Sequence, residues 1–167
     1  KKKFKREYDK NGDLAKRGEI DYQLLKRMMS DSFFKANHPK STGFEKFNIE
    51  WLERQVQLTG YKITNENVLT TLAYFTITTV SQELNKDNSK EKKVFMYGGG
   101  VNNQLIIDGI LSSIKHKRVK KMNFGISEKN LEATAFAWLS YKRIKGQKIT
   151  SPMITGKKAT GFLGNIY

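Results

Sequence analysis

An α/β fold is predicted by three features of the sequence. The first is VFMYGGGVNNQLI at 94–106, a short apolar run that breaks into three glycines and then into a helical pattern. The second is the order of elements, three helical segments followed by strand–helix–strand–helix. That second half is a βαβ-type unit with helices free to cover a small, mostly parallel sheet. The third is the size of the sheet: two or three strands are few for this architecture, so further strands are expected upstream of Lys1.

Taken in order, residues 1–18 show no hydrophobic period and contain the turn signal Asn11-Gly12-Asp13. Ile20, Leu24, Leu25 and Met28 follow helical spacing and predict a helix over 19–30. A loop over 31–47 holds His38-Pro39-Lys40-Ser41-Thr42-Gly43, where Pro39 turns His38 away from helical geometry and Gly43 permits a positive φ. Asn48 is a good N-cap for IEWLERQVQL, with Trp51, Leu52, Val56 and Leu58 facing inward. The longest helix starts at Thr64-Asn65-Glu66-Asn67 and reaches about Asn85. Its stripe is Val68, Leu72, Phe75 and Thr79, widened by Leu69, Ala73, Ile77 and Val80. Its β-branched Thr residues lower the intrinsic propensity, so packing must hold it.

Val94–Tyr97 reads as a buried parallel strand. Leu105, Ile106, Ile110 and Leu111 give the next helix its apolar face, ending near Ile114. Arg118–Phe124 alternates as an edge strand would. LEATAFAWLSYKRIKG follows, with Asn130 as its cap and Gly146 as its stop. This helix is apolar nearly all round from Leu131 to Leu139, the pattern of a buried helix. The Gly-rich tail 160–167 reads as a short strand or helix.

The 167 residues fit one domain or half of a two-domain protein. Hydrophobic residues make up 38%, and ten Phe, seven Tyr and two Trp are enough to build a core. The absence of cysteine excludes disulfides, thiolate-bound zinc, iron–sulfur clusters and a thiol nucleophile. His38 and His116 are too far apart for a His-x₃-His pair, so no metal site is expected. No apolar run approaches the roughly 20 residues that cross a bilayer, and no signal-peptide pattern is present, so a cytoplasmic location with no membrane partner is expected. The chain opens on a polar run rather than on Met, which reads as the interior of a longer protein.

Thirty-one Lys plus Arg against sixteen Asp plus Glu give a net charge of +15, which raises nucleic acid as a partner. The distribution argues for a solvated surface instead. Twenty-five of these residues are Lys and six are Arg, whereas base-edge and phosphate-fork recognition favours Arg. There is also no RNA-binding aromatic motif and no zinc finger.

Three constellations carry chemical content. Gly98-Gly99-Gly100 at the carboxyl end of a strand lets a flat ligand approach the backbone, and the helix that follows offers N–H groups and a positive dipole end. The pattern matches neither the P-loop nor G-x-G-x-x-G, and a tight strand-to-helix turn would look the same. Glu132 is the one charged residue between Leu131 and Leu139. It suits the helix dipole, or it accepts hydrogen bonds from a polyhydroxy ligand at a cleft edge. Pro39–Gly43 could hold a phosphate or carboxylate, although such clusters are usually surface loops.

Three segments in order, PKSTGFEKFNIEWLERQ (39–55), YGGGVNNQLI (97–106) and GISEKNLEATAFAWLSYKRIKG (125–146), with the tail TGKKATGFLGNIY (155–167), resemble the C-terminal half of the anhydro-N-acetylmuramic acid kinase family. The resemblance implies the C-terminal lobe of a ribonuclease-H-like, actin-like ATPase fold, present here as one domain over 1–167. It implies ATP and Mg²⁺ as cofactors and an anhydro-amino-sugar as substrate. A missing N-terminal lobe and a homodimer are the implied protein partners. The implied reaction opens the 1,6-anhydro ring of the sugar and phosphorylates O6, in peptidoglycan recycling. Gly98, Gly99 and Gly100 then match the adenosine-binding turn with Asn102 just after it, and Glu132 matches a sugar-contacting glutamate.

The departures are also informative. The family's phosphate loop belongs to the other lobe, and the segment bearing the catalytic Asp is expected just before Lys1, so no catalytic residue is assigned here and the chain alone is expected to be inactive. Phe44 stands where many relatives have Arg. A basic nucleic-acid-binding module is the competing function, distinguished by a steep salt-dependent affinity for random oligonucleotides.

Overall fold

The computed structural model describes residues 4, 6–86, 93–114, 118–119, 125, 130–149 and 161–163. Its elements are α1 (Tyr22–Met29), α2 (Ser32–Lys35), α3 (Ile49–Gln57), α4 (Asn65–Lys86), β1 (Lys93–Val94), a 3₁₀ turn (Gly99–Asn102), α5 (Gln104–Ser113), β2 (Arg118–Val119) and α6 (Leu131–Ile144). The described part is mostly helical. β1 and β2 run parallel, Lys93 opposite Arg118 and Val94 opposite Val119. This ladder is shorter than the expected strands at 94–97 and 118–124, and residues 120–124 lie outside the described residues. Val94 and Met96 are half-buried while Phe95 and Tyr97 are exposed, so the apolar run is not the buried strand its composition predicts. Of the tail, Gly161 forms an antiparallel bridge with Ile149, and 160 and 164–167 lie outside the described residues.

Helix α1 starts at Tyr22 rather than Glu19, because Asp21 caps it by accepting a hydrogen bond from the Leu24 amide at 2.8 Å. The loop expected at 31–47 contains a further short helix, α2, capped by Asp31 through the Phe33 amide. Asn48 caps α3 as expected, accepting from Trp51 N at 2.8 Å, but Leu58 is exposed. Asn103 caps α5 through the Ile106 amide, and Leu111 on its expected apolar face is also exposed.

Helix α4, 22 residues and about 33 Å long, is the scaffold. Its buried residues are Thr70, Thr71, Ala73, Ile77 and Ser81. Ala73 and Ile77 belong to the expected stripe, whose Val68, Leu69, Leu72, Phe75 and Thr79 are half-buried and Val80 exposed, whereas Thr70, Thr71 and Ser81 lie outside it. The opening segment explains two of them. Thr70 Oγ1 lies 2.6 Å from the carbonyl oxygen of Ala15, and Thr71 Oγ1 accepts from the Asp21 amide at 2.9 Å while donating to Asn67 O. A hydroxyl that donates to the carbonyl one turn back is buried without an unpaired proton. Residues 9–15, which show no sequence period, are therefore docked, with Leu14 and Ala15 buried.

A second side of α4 carries Phe75 into a five-ring cluster. Phe34 meets Phe75 edge-on at 5.2 Å between centroids, Phe47 meets Trp51 at 4.9 Å, and Phe33 meets Phe34 at 5.4 Å. Edge-to-face pairs at these distances are favourable beyond the area they bury. Lys40 and Lys46 place their ammonium groups over the Phe33 ring at 5.0 and 5.7 Å.

The third side receives α5. A Cβ built on Gly109 would lie 2.9 Å from Ile77 Cγ1 and 3.2 Å from Ile77 Cγ2, closer than packed carbons tolerate. Gly109→Val is expected to destabilise the protein by about 1–3 kcal/mol through overpacking. Ile77→Ala should cost about 2–5 kcal/mol through its cavity. Because the two side chains compete for one space, the double variant should lose less than the sum of the singles. Urea unfolding of the four proteins checks this, and strict additivity would show that the contact does not limit the approach.

Candidate functional site

The glycine turn sits between β1 and α5. Gly98 adopts φ +86, a conformation that favours glycine, whereas Gly99 and Gly100 lie outside that region. The Val101 amide donates to Gly98 O at 3.2 Å and the Asn103 amide to Gly100 O at 3.0 Å, closing a compact 3₁₀ turn. Among the described residues, a Cβ added at Gly98, Gly99 or Gly100 meets nothing within 4 Å. Their packing therefore does not call for glycine at 99 or 100, and the backbone there is accessible. Asn102 is exposed at the end of the turn.

The cap of α5 is held by a segment that the sequence pattern left unassigned. Asp9 accepts from the amides of Leu14 at 2.8 Å and Ala15 at 3.0 Å, folding the chain through Asn11 (φ 57) and Gly12 (φ +73). Gly12 is buried, and a Cβ there would approach Asn103 Cγ to 3.0 Å and Leu105 Cβ to 3.1 Å. The opening turn thus rests on the residue that caps α5. The Asn11-Gly12-Asp13 signal was visible in the sequence, but its partner was not.

Glu132 lies in the first turn of α6 and is exposed. Asn130 makes no side-chain capping bond, contrary to expectation, whereas Gly146 (φ +63) ends the helix as expected. The Gly146 amide donates to Arg143 O and that of Gln147 to Lys142 O, which is a Schellman closure. No residue of α6 is buried, so the expected burial of this helix is overturned. Phe136, Trp138 and Tyr141 are 62, 50 and 55% exposed. Lysines supply part of their cover: Lys142 lies 5.4 Å from the Trp138 ring and Lys145 5.9 Å from Tyr141. No hydrogen bond or ion pair joins Glu132 to the Gly98–Asn102 turn.

The Pro39–Gly43 loop has a structural role. Lys40, its side chain 9% exposed, donates from Nζ to Phe33 O at 3.1 Å and to Glu83 Oε1 at 2.8 Å, which leaves its charge already partnered. His38 Nε2 sits 2.7 Å from Glu83 Oε2, and Lys86 also reaches Oε1 at 2.8 Å. Gly43 is not in the left-handed region. Phe44 is 85% exposed.

A cleft of about 480 Å³ lies elsewhere, lined by Gln23, Lys26, Arg27, Ser30, Leu58 and Thr59. It contains none of the candidate residues. The C-terminal ends of α1 and α3 meet there, and Lys26 and Arg27 complement the exposed carbonyls of α1. Among the described residues no three His, Asp or Glu side chains gather to hold a metal, so they offer no ready magnesium site. Among them, too, no helix is long and apolar enough to cross a membrane.

Residues 1–167 match the family described as anhydro-N-acetylmuramic acid kinase. The chain is similar to proteins of that name from Sulfurovum sp. (33% identical over 160 residues), Pseudomonas fluorescens (36% over 162) and Actinobacillus pleuropneumoniae serotype 7 (37% over 163). Each comparison covers 96% of this chain and 43–44% of the relative, so the chain spans less than half the length of the curated relatives it matches.

The Glu83 cluster sets a pH dependence. Partial burial pushes the Glu83 carboxyl up, but hydrogen bonds from Lys40, Lys86 and His38 outweigh it and bring the carboxyl from 4.5 to about 2. The stabilisation is therefore complete above about pH 4.5 and is lost as pH falls towards 2. Glu83→Gln should flatten the acid limb of the stability curve in that window. Denaturant midpoints at stepped pH check it, and parallel curves for the two proteins would refute it.

Proposed function

This chain belongs to the anhydro-N-acetylmuramic acid kinase family, and from that premise we propose that the whole protein converts 1,6-anhydro-N-acetylmuramic acid and ATP to N-acetylmuramic acid 6-phosphate and ADP. Water adds across the anhydro bridge at the anomeric carbon, O6 is released from the ring, and O6 takes the γ-phosphoryl group. The reaction would serve peptidoglycan recycling in the cytoplasm. The group that activates water and the loop that holds the phosphates are assigned to a lobe or segment outside this chain, with Mg²⁺ held there. The lobe carried here would be ribonuclease-H-like.

One observation carries the assignment within the chain: the open backbone of Gly98–Gly100, three residues beyond the parallel strand β1 and leading into a helix. Adenosine would lie against it, with Asn102 at its margin. Glu132 would accept hydrogen bonds from the sugar, and among the described residues its carboxylate has no hydrogen-bond or ion-pair partner. The uncovered apolar rings of α6 support reading the chain as one part of a larger protein.

Two variants of the full-length enzyme test the two roles. Gly99→Val introduces a branched side chain where the protein itself has space, so stability should hold while ATP affinity falls about tenfold, equivalent to about 1.4 kcal/mol. Unchanged affinity in an ATP titration would make the turn purely structural. Glu132→Gln removes a charge-assisted hydrogen bond of about 1.5–3 kcal/mol, so kcat/KM for the anhydro-sugar should fall roughly ten- to a hundredfold. ATP affinity should stay the same. Equal sugar kinetics, or a loss confined to ATP, would reject the role and leave Glu132 as a complement to the helix dipole.

A further inference from the structure

We propose that Tyr97 stacks on the base of a nucleotide bound at the glycine turn and so favours an aromatic nucleoside over a bare polyphosphate, an inference that rests on the nucleotide reading of that turn. The burial pattern at the carboxyl end of β1 alternates. Val94 and Met96 are half-buried, while Phe95 and Tyr97 are exposed at 39 and 66%. Tyr97 is the more exposed of the two, and it is the residue immediately before Gly98. One peptide separates its Cα from that of Gly98, about 3.8 Å, so a phenol ring can border a ligand lying on the glycines.

Two further facts favour stacking over packing. Among the described residues the Tyr97 ring has no ring, cation or hydrogen-bond partner, whereas Phe33, Phe34, Phe47, Trp51 and Phe75 are engaged in one cluster. Gly98, Gly99 and Gly100 beside it present no Cβ and have open space where one would be. An exposed aromatic ring next to flat, accessible backbone offers a planar base two surfaces at once. Base–aromatic stacking tolerates any base because every base has a π-face, and an aromatic ring carries that energy where a hydroxyl alone does not.

The test uses the full-length protein and four titrations, ATP and tripolyphosphate each against wild type and Tyr97→Ala. ATP should bind about tenfold more weakly to Tyr97→Ala, with tripolyphosphate unchanged because it has no base. Tyr97→Phe should bind ATP within about twofold of wild type, and Tyr97→Trp should show fluorescence quenching on adding ATP but not on adding tripolyphosphate. Equal weakening of both ligands would mean that Tyr97 only supports the turn, and would overturn the proposal. If Gly99→Val weakens ATP while Tyr97→Ala does not, the nucleotide reading stands and the stacking role fails. If neither substitution alters ATP binding, the nucleotide reading fails and the stacking role with it.

Discussion

The close approach of α5 to α4 at Gly109 is the constraint on which the candidate turn depends. Ile77 occupies the space that any side chain at 109 would need, so the two helices touch nearly backbone to side chain. That contact fixes the course of α5. The N-terminal end of α5 is held by Asn103, whose side chain caps the helix and against which Gly12 is packed. With its middle and its N-terminus held, α5 receives the Gly98–Asn102 turn at a set place. Among the described residues nothing lies within 4 Å of where a Cβ of Gly98, Gly99 or Gly100 would be. A supported backbone surface of this kind is what the proposed ligand site would need.

Helix α4 supplies that support because it is used on several sides at once. Ile77 meets α5, Phe75 joins the aromatic cluster, and Thr70 and Thr71 receive the opening segment. A purely apolar helix could not do the last of these, since the Asp21 amide needs an acceptor and the Ala15 carbonyl a donor. The same threonines return their protons to carbonyls within α4 or to Ala15, so the polar atoms are buried at little cost. The β-branched residues that weaken this helix in isolation are the ones that tie the opening segment to it.

How much of this was legible in the sequence depends on the range of the interaction. Local signals were readable: the Asn48 cap, the limits of α4, the glycine turn and the Gly146 stop all depend on residues within a turn of one another. Contacts between distant segments were not. Nothing in Asp9–Ala15 has a helical or strand period, because that segment is held by the Asp9 carboxylate and by α4 rather than by repeating bonds of its own. The burial of α6 was misjudged for a related reason. Apolar composition reports that a surface prefers cover, and it does not report what provides the cover. Of the candidate residues, the glycines and Asn102 fall together in one turn, whereas Glu132 is joined to them by no bond.

The positive charge is also read differently once packing is known. Lys40 spends its ammonium on Glu83 and on the Phe33 carbonyl, and Lys46 spends its own on Asp31 at 2.6 Å. Lys142, Lys145 and Lys148 lie over aromatic rings at 5.4, 5.9 and 5.7 Å. In each case the charge is engaged by a carboxylate, a carbonyl or a π-face. A phosphate backbone would have to displace those contacts before it gained anything from these lysines. These five lysines, a part of the net charge of +15, are thus already engaged within the described residues.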